Sequence, residues 1–121
     1  MLGKLKAEID NFFLCELSYF KPSEQDSAVL AHEQLHFDIS EIYARKFRKK
    51  ISEESSSIKV ILANHEEWYL TIQKECNLKQ DEYDSEVYVD RSKQEKWSNW
   101  VKEELLKYKD YEHPKVEIRK K

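Results

Sequence analysis

One stretch decides the predicted fold: residues 27–39, which read Ser27-Ala28-Val29-Leu30-Ala31-His32-Glu33-Gln34-Leu35-His36-Phe37-Asp38-Ile39. Apolar side chains recur within and beyond it at three- and four-residue steps, the spacing of an amphipathic helix: Leu30, Phe37, Ile39, Ile42, Tyr43 and Phe47. Upstream, Ser23 is a suitable N-cap, and the acidic residues that follow it suit the first turn of a helix. A helix from Ser23 to Lys50 is therefore predicted.

The flanking segments predict one strand and two more helices. Aromatic and apolar residues alternate over residues 7–20, a pattern typical of a strand, before Lys21-Pro22-Ser23 interrupts it. After a polar linker at residues 52–57, a second helix is predicted to end near Leu78, an irregular acidic connection to cover residues 79–90, and a third helix to begin near Arg91. The predicted fold is one α+β domain over residues 1–121, mostly helical, with about three helices, a short aromatic strand or small sheet before the first helix and a loose tail at 112–121.

Composition excludes some partners. The chain has 121 residues and a net charge of -3, whereas a nucleic-acid-binding protein needs a basic surplus. No stretch is long enough to span a membrane, and the charges within residues 1–14 do not suit a signal peptide. Cys15 and Cys76 either form a disulfide or fill core positions.

The segment His32-Glu33-Gln34-Leu35-His36 is the motif that points to chemistry. Residues four apart lie on one face of a helix, so His32 and His36 are placed to bind one metal ion. Glu33 lies beside them and is placed to take a proton from water on a zinc ion, which lowers the pKa of that water to roughly 7. The pattern predicts a zinc site with Glu33 as the general base.

The run Ser27 to Ile39, followed by Tyr43-Ala44-Arg45, resembles the bacterial family called domain of unknown function 922, described as secreted zinc-dependent proteases. The likeness continues more loosely through Tyr83-Asp84-Ser85-Glu86 to Gln94 and Trp97. It implies a zincin-like fold, a peptide or protein substrate, and a secreted or periplasmic location. The chain is short for that family, which suggests that strands are missing before Met1 and that exposed strand edges pair in a homo-oligomer.

The chain departs from the family where a third zinc ligand is expected. The family has Thr-x-His-Gly after its Tyr-Asp-x-Glu segment, but this chain has Val87-Tyr88-Val89-Asp90. The missing ligand is therefore sought among carboxylates: Asp84, Glu86 and Asp90 in the same segment, or Glu66 and Glu67 on the second helix. Tyr83 and Tyr88 are the tyrosines nearest the expected site, and Tyr88 is the predicted substrate contact.

The sequence is compatible with three functions. The first is a zinc-dependent hydrolase, most simply a peptidase, in which the strand at residues 12–20 holds an extended substrate. The second is an inactive relative of that fold, a binding or interaction domain that has lost its third ligand. The third, a helical adaptor, explains the helices but not the histidine motif.

Overall fold

The computed structural model describes residues 6–9, 27–54 and 58–117. Its elements in chain order are β1 (Lys6–Glu8), α1 (Ser27–Glu54), α2 (Ile58–Val89), α3 (Lys93–Lys107), a 3-10 helix (Lys109–Tyr111) and β2 (Lys115–Glu117). Helices dominate because residues 23–113 contain neither glycine nor proline, the two residues that most disfavour a helix interior. The three predicted helices are all present, although the second is longer than predicted.

The core lies where the three helices meet. Its buried members follow helical spacing on each element: Leu35, Ile39, Ile42 and Tyr43 on α1, Cys76, Tyr83 and Val87 on α2, and Trp97 and Val101 on α3. Edge-to-face contacts join Tyr83 to Trp97 and Trp97 to Trp100, with ring centroids 5.3 and 5.4 Å apart. The contact between Tyr83 and Trp97 fixes the C-terminal half of α2 against α3, and the contact between Trp97 and Trp100 lies within α3.

The length of α2 corrects a prediction. Residues 79–89 continue the helix rather than forming an irregular connection. Tyr83 and Val87 follow Cys76 by seven and eleven residues, so all three share one helical face and are buried together. Acidic residues lie between them in the sequence and hide this pattern: Asp81 and Glu82 are exposed, whereas Asp84 faces α1 and Glu86 faces α3.

The α+β prediction is wrong. Among the described residues the only strands are β1 and β2, each of three residues, which pair in an antiparallel ribbon with Ala7 opposite Val116. Ile9, just after β1, packs against Ile51 near the C-terminal end of α1. That point is roughly 28 Å along the helix from His32, so this ribbon forms no layer beneath the histidine motif. Of the strand predicted over residues 7–20, Ala7 and Glu8 belong to β1, and residues 10–20 lie outside the described residues.

A buried arginine ties the ribbon to α1. Arg48 is only 1% exposed and forms an ion pair with Glu41, with Nη1 and Oε2 2.9 Å apart. Its Nε donates to the carbonyl of Ile9 at 2.8 Å, and Nη1 donates to the carbonyl of Tyr111 at 2.9 Å. Glu41 also pairs with Arg45 at 2.8 Å. One guanidinium thus joins both ends of the described chain to the central helix.

The remaining predictions concern the tail, the cysteines and membranes. Residues 115–117 of the expected loose tail pair with β1. Cys76 is a free, buried thiol whose pKa is raised by burial, and Cys15 lies outside the described residues. None of the helices in the described ranges has the length and apolarity needed to cross a membrane.

Candidate metal centre

The site lies between α1 and α2, which run in opposite directions. His32 faces Asp84, and His36, one turn later on α1, faces both Asp84 and Gln80, one turn earlier on α2. This antiparallel pairing brings the two histidines of the motif against a carboxylate about fifty residues away in sequence.

Three donor atoms converge on one point. The Oδ1 atom of Asp84 lies 2.9 Å from Nε2 of His32 and 2.6 Å from Nε2 of His36. Among the described residues, this trio is the group whose ligand atoms all lie within 4.8 Å of one another. The side chain of Asp84 is 53% exposed and that of His36 only 12% exposed, so the cluster opens to solvent on the α2 side.

The protonation of His36 follows from the side chain of Gln80. The Nε2 group of Gln80 donates to the backbone carbonyl of His36 at 2.9 Å, which orients the amide because a carbonyl only accepts. The Oε1 atom of Gln80 then lies 2.5 Å from Nδ1 of His36, so Nδ1 must carry the proton of this hydrogen bond. In a neutral imidazole, Nε2 of His36 therefore presents a lone pair to Asp84.

This arrangement fits a bound cation. A lone pair on His36 and a carboxylate oxygen of Asp84 are both acceptors, so their 2.6 Å contact requires a proton or a metal ion between them. Two imidazole nitrogens and one carboxylate oxygen are ordinary zinc ligands. With zinc–ligand distances of about 2.0–2.1 Å, tetrahedral ligands lie about 3.3 Å apart, so the trio must open by roughly half an ångström. Because Asp84 is half exposed, its side chain has room to move by this distance.

Tyr83 forms the floor of the cluster. Its ring stacks on His32 at a centroid distance of 4.7 Å and meets His36 edge-on at 4.9 Å. Its hydroxyl donates to the carbonyl of His32 at 3.1 Å and also lies 3.0 Å from the side chain of Gln94. Burial raises the pKa of this phenol. Tyr83 therefore stays neutral and orients the imidazoles from the core side, where no substrate reaches it.

Glu33 lies near the same cluster without joining it. It is partly exposed on α1, between the two histidines in sequence. Burial is the main cause of the raised pKa of Tyr83, and the negative charges of Asp84 and Glu33 add to that rise. Its position next to His32 on the helix suits a proton acceptor beside a metal.

The other predicted carboxylates lie elsewhere. Glu86 faces α3, where Nε1 of Trp97 donates to it at 3.2 Å and Lys96 pairs with it at 3.4 Å. The hydrogen bond from Trp97 lowers the pKa of Glu86. Asp90 accepts hydrogen bonds from the backbone and hydroxyl of Ser92 just before α3. Glu66 and Glu67 are exposed on the first half of α2, about 25 Å along the helix from Asp84.

Tyr88 lies near the cluster, and Gln80 is a member of the site that the sequence does not predict. Tyr88, the predicted substrate contact, is 92% exposed and lies one turn past Asp84 on α2, on the rim of the cluster. Gln80 was not identified from the sequence at all, because residues 79–90 were not predicted to be helical. Its spacing of four residues from both Cys76 and Asp84 is the signal that would have placed it on the buried edge of that helix.

Comparison with known proteins adds no relative: no family model, no curated protein and no solved structure matches this chain. The likeness to the domain of unknown function 922 family therefore stays a prediction from the motif.

Proposed function

We propose that this protein is a zinc-dependent hydrolase, with peptides as its substrate class. The observation behind the proposal is the convergence of Nε2 of His32, Nε2 of His36 and Oδ1 of Asp84 beside Glu33. Three protein ligands with an open side are the arrangement of catalytic zinc sites, whereas structural sites are closed by four. The exposed side of Asp84 leaves room for a water molecule and a substrate.

Each residue has a distinct role in the proposal. His32 and His36 bind the metal through Nε2, and Asp84 supplies the third ligand from α2. A zinc ion held there would supply Lewis acidity that lowers the pKa of its water, so that hydroxide would be available as the nucleophile at neutral pH. Glu33 accepts the proton of the attacking water and passes it to the leaving group. Tyr88, on the exposed rim, is the candidate to contact a substrate side chain.

Glu33 argues for hydrolysis over other metal chemistry. Two histidines and one carboxylate also form the ligand set of non-haem Fe(II) oxygenases. Such an enzyme needs no general base at the position next to the first histidine, whereas hydrolysis does. A carboxylate at this position therefore favours zinc and water as the reactive pair.

The test is zinc binding and peptide hydrolysis by the full chain and three variants. The metal-stripped protein is expected to take up one zinc per chain. His36→Ala loses that zinc, whereas His65→Ala, a matched change at an exposed histidine of α2, keeps it. Glu33→Gln keeps the zinc but loses activity on a fluorogenic peptide library by about 10²–10⁴-fold, the usual contribution of a general base.

Two results would contradict the proposal. Absence of zinc uptake by the wild-type protein removes the metal centre altogether. If Glu33→Gln still hydrolyses peptides, Glu33 is not the general base, and the activity is attributed to a contaminating peptidase.

A second candidate is a zinc-binding domain without catalysis. The observation that favours it is the position of the cluster across the α1–α2 interface, where a metal would join residues about fifty positions apart in sequence. Moreover, neither β1 nor β2 lies near the cluster to hold an extended peptide. Under this candidate zinc raises the melting temperature of the wild type and of Glu33→Gln equally, and no peptide in the library is cleaved.

A further inference from the structure

We infer that Gln80 is a positioning residue that selects Nε2 of His36 as the metal-binding nitrogen and holds its ring towards Asp84. The inference rests on the proposed metal centre and deepens it. Gln80 forms two hydrogen bonds with His36: its Oε1 accepts from Nδ1 of the ring, and its Nε2 donates to the backbone carbonyl. Both contacts join α2 to α1 across 44 positions of sequence.

The two contacts act together: the bond to the carbonyl orients the amide of Gln80, and the oriented amide determines which ring nitrogen of His36 carries a proton. The carbonyl of His36 only accepts, so it forces the amide nitrogen of Gln80 towards it and the amide oxygen towards Nδ1. An amide oxygen at Nδ1 accepts a proton from that nitrogen, which leaves Nε2 as the free lone pair. Free imidazole has no such restriction, so the choice of nitrogen comes from Gln80.

Gln80 is itself held in place on the buried edge of α2. It is partly buried, lies one turn after the buried Cys76, and its Nε2 lies 3.9 Å from the sulfur of that residue. Hydrogen bonds from the free ring nitrogen of a metal-binding histidine orient the ring and raise its basicity, and their loss weakens metal binding by about 10–100-fold. Among the described residues, His32 shows no such bond at Nδ1 and is oriented by stacking on Tyr83 instead.

Two substitutions separate positioning from simple packing. Gln80→Met keeps the size of the side chain but removes both hydrogen bonds. Gln80→Glu keeps an acceptor for Nδ1 of His36, loses the donor to the carbonyl and adds a negative charge. Gln73→Met is the matched control, because Gln73 lies on the same helix, is exposed, and bonds only to Asn77 among the described residues.

Zinc affinity is measured by chelator competition on each full-length variant, with urea unfolding of the metal-free protein alongside. Gln80→Met is expected to bind zinc about 10–100-fold more weakly. Gln80→Glu and Gln73→Met are expected to bind zinc as the wild type does. If Gln80→Met does not fold without metal, its zinc affinity cannot test the inference. The comparison of Gln80→Glu with the wild type in the next experiment then provides the test.

The second readout is the His36 ring itself, observed by ¹⁵N–¹H NMR. In the wild type, Nδ1 of His36 carries a proton that exchanges slowly because Gln80 accepts it, and Gln80→Glu keeps that signal, shifted by the charged acceptor. The signal disappears in Gln80→Met. Equal zinc affinity in wild type and Gln80→Met, or a His36 proton on Nε2 rather than Nδ1 in the wild type or Gln80→Glu, overturns the role of Gln80. Failure of the wild type to bind zinc instead overturns the metal centre, and this inference with it.

Discussion

Replacement of Asp84 by alanine tests which carboxylate completes the metal centre. In the proposed metal centre Asp84 is one of three protein ligands, and its Oδ1 is the atom that both histidines face. Four-ligand zinc sites in small domains bind with about 10–16 kcal/mol at pH 7, which is about 2.5–4 kcal/mol for each ligand. Since 1.4 kcal/mol is a tenfold change, Asp84→Ala is expected to weaken zinc binding by about 10²–10³-fold.

Glu86→Ala is the matched control, because it removes a carboxylate two residues further along the same helix. Glu86 faces Trp97 and Lys96 rather than the histidines, so zinc affinity in this variant is expected to equal that of the wild type. The assay is chelator competition at constant pH and ionic strength, with urea unfolding of the metal-free proteins to exclude loss of the fold. Because Asp84 is half exposed, Asp84→Ala is expected to change the stability of the metal-free protein by no more than about 0.5 kcal/mol.

The assignment of Asp84 as the third ligand is refuted if Asp84→Ala binds zinc like the wild type. It is also refuted if Glu86→Ala loses as much affinity as Asp84→Ala, since the ligand would then be the other carboxylate and the register of α2 against α1 would differ from the one described.

Three further predictions concern stability, each measured by urea unfolding. Arg48→Met is expected to lower the free energy of unfolding by about 2–4 kcal/mol, because among the described residues Glu41 then keeps only Arg45, and the carbonyls of Ile9, Tyr111 and Glu112 lose a charged donor; a loss as small as that of the surface change Lys102→Met contradicts this. Tyr83→Phe removes the hydroxyl bonded to the carbonyl of His32 and is expected to cost about 1–2 kcal/mol, whereas an unchanged unfolding midpoint would show that this bond is not formed. Asp90→Ala is expected to lower the urea midpoint at pH 7. The hydrogen bonds from Ser92 hold the pKa of Asp90 below its ordinary value of 3.8, so the stabilisation is present above pH 3.8 and is lost as the pH falls through the lowered pKa. A wild-type advantage that persists in strong acid contradicts this assignment.

The helical character of the chain follows from local sequence. The absence of glycine and proline over residues 23–113, with apolar residues at helical steps, predicts α1 and α3 close to their observed places. The sequence does not predict the end of α2, because helical spacing is clear only among the strongly apolar residues and few of them lie in this segment. Tyr83 and Val87 lie there among acidic neighbours, and only their burial against α1 and α3 shows that the pattern continues.

The sequence by itself determined the pair of histidines, since a four-residue step places His32 and His36 on one face of any helix that contains them. Glu33 follows from the same geometry. The choice among Asp84, Glu86, Asp90, Glu66 and Glu67 was decided only by the tertiary structure. That choice depends on how far α2 slides along α1 and how it is rotated, and both are set by side chains packed in the core, such as Ile39 and Tyr83. Gln80 reaches His36 for the same reason. Local spacing thus brings the two histidines together, and long-range packing selects the carboxylate that faces them.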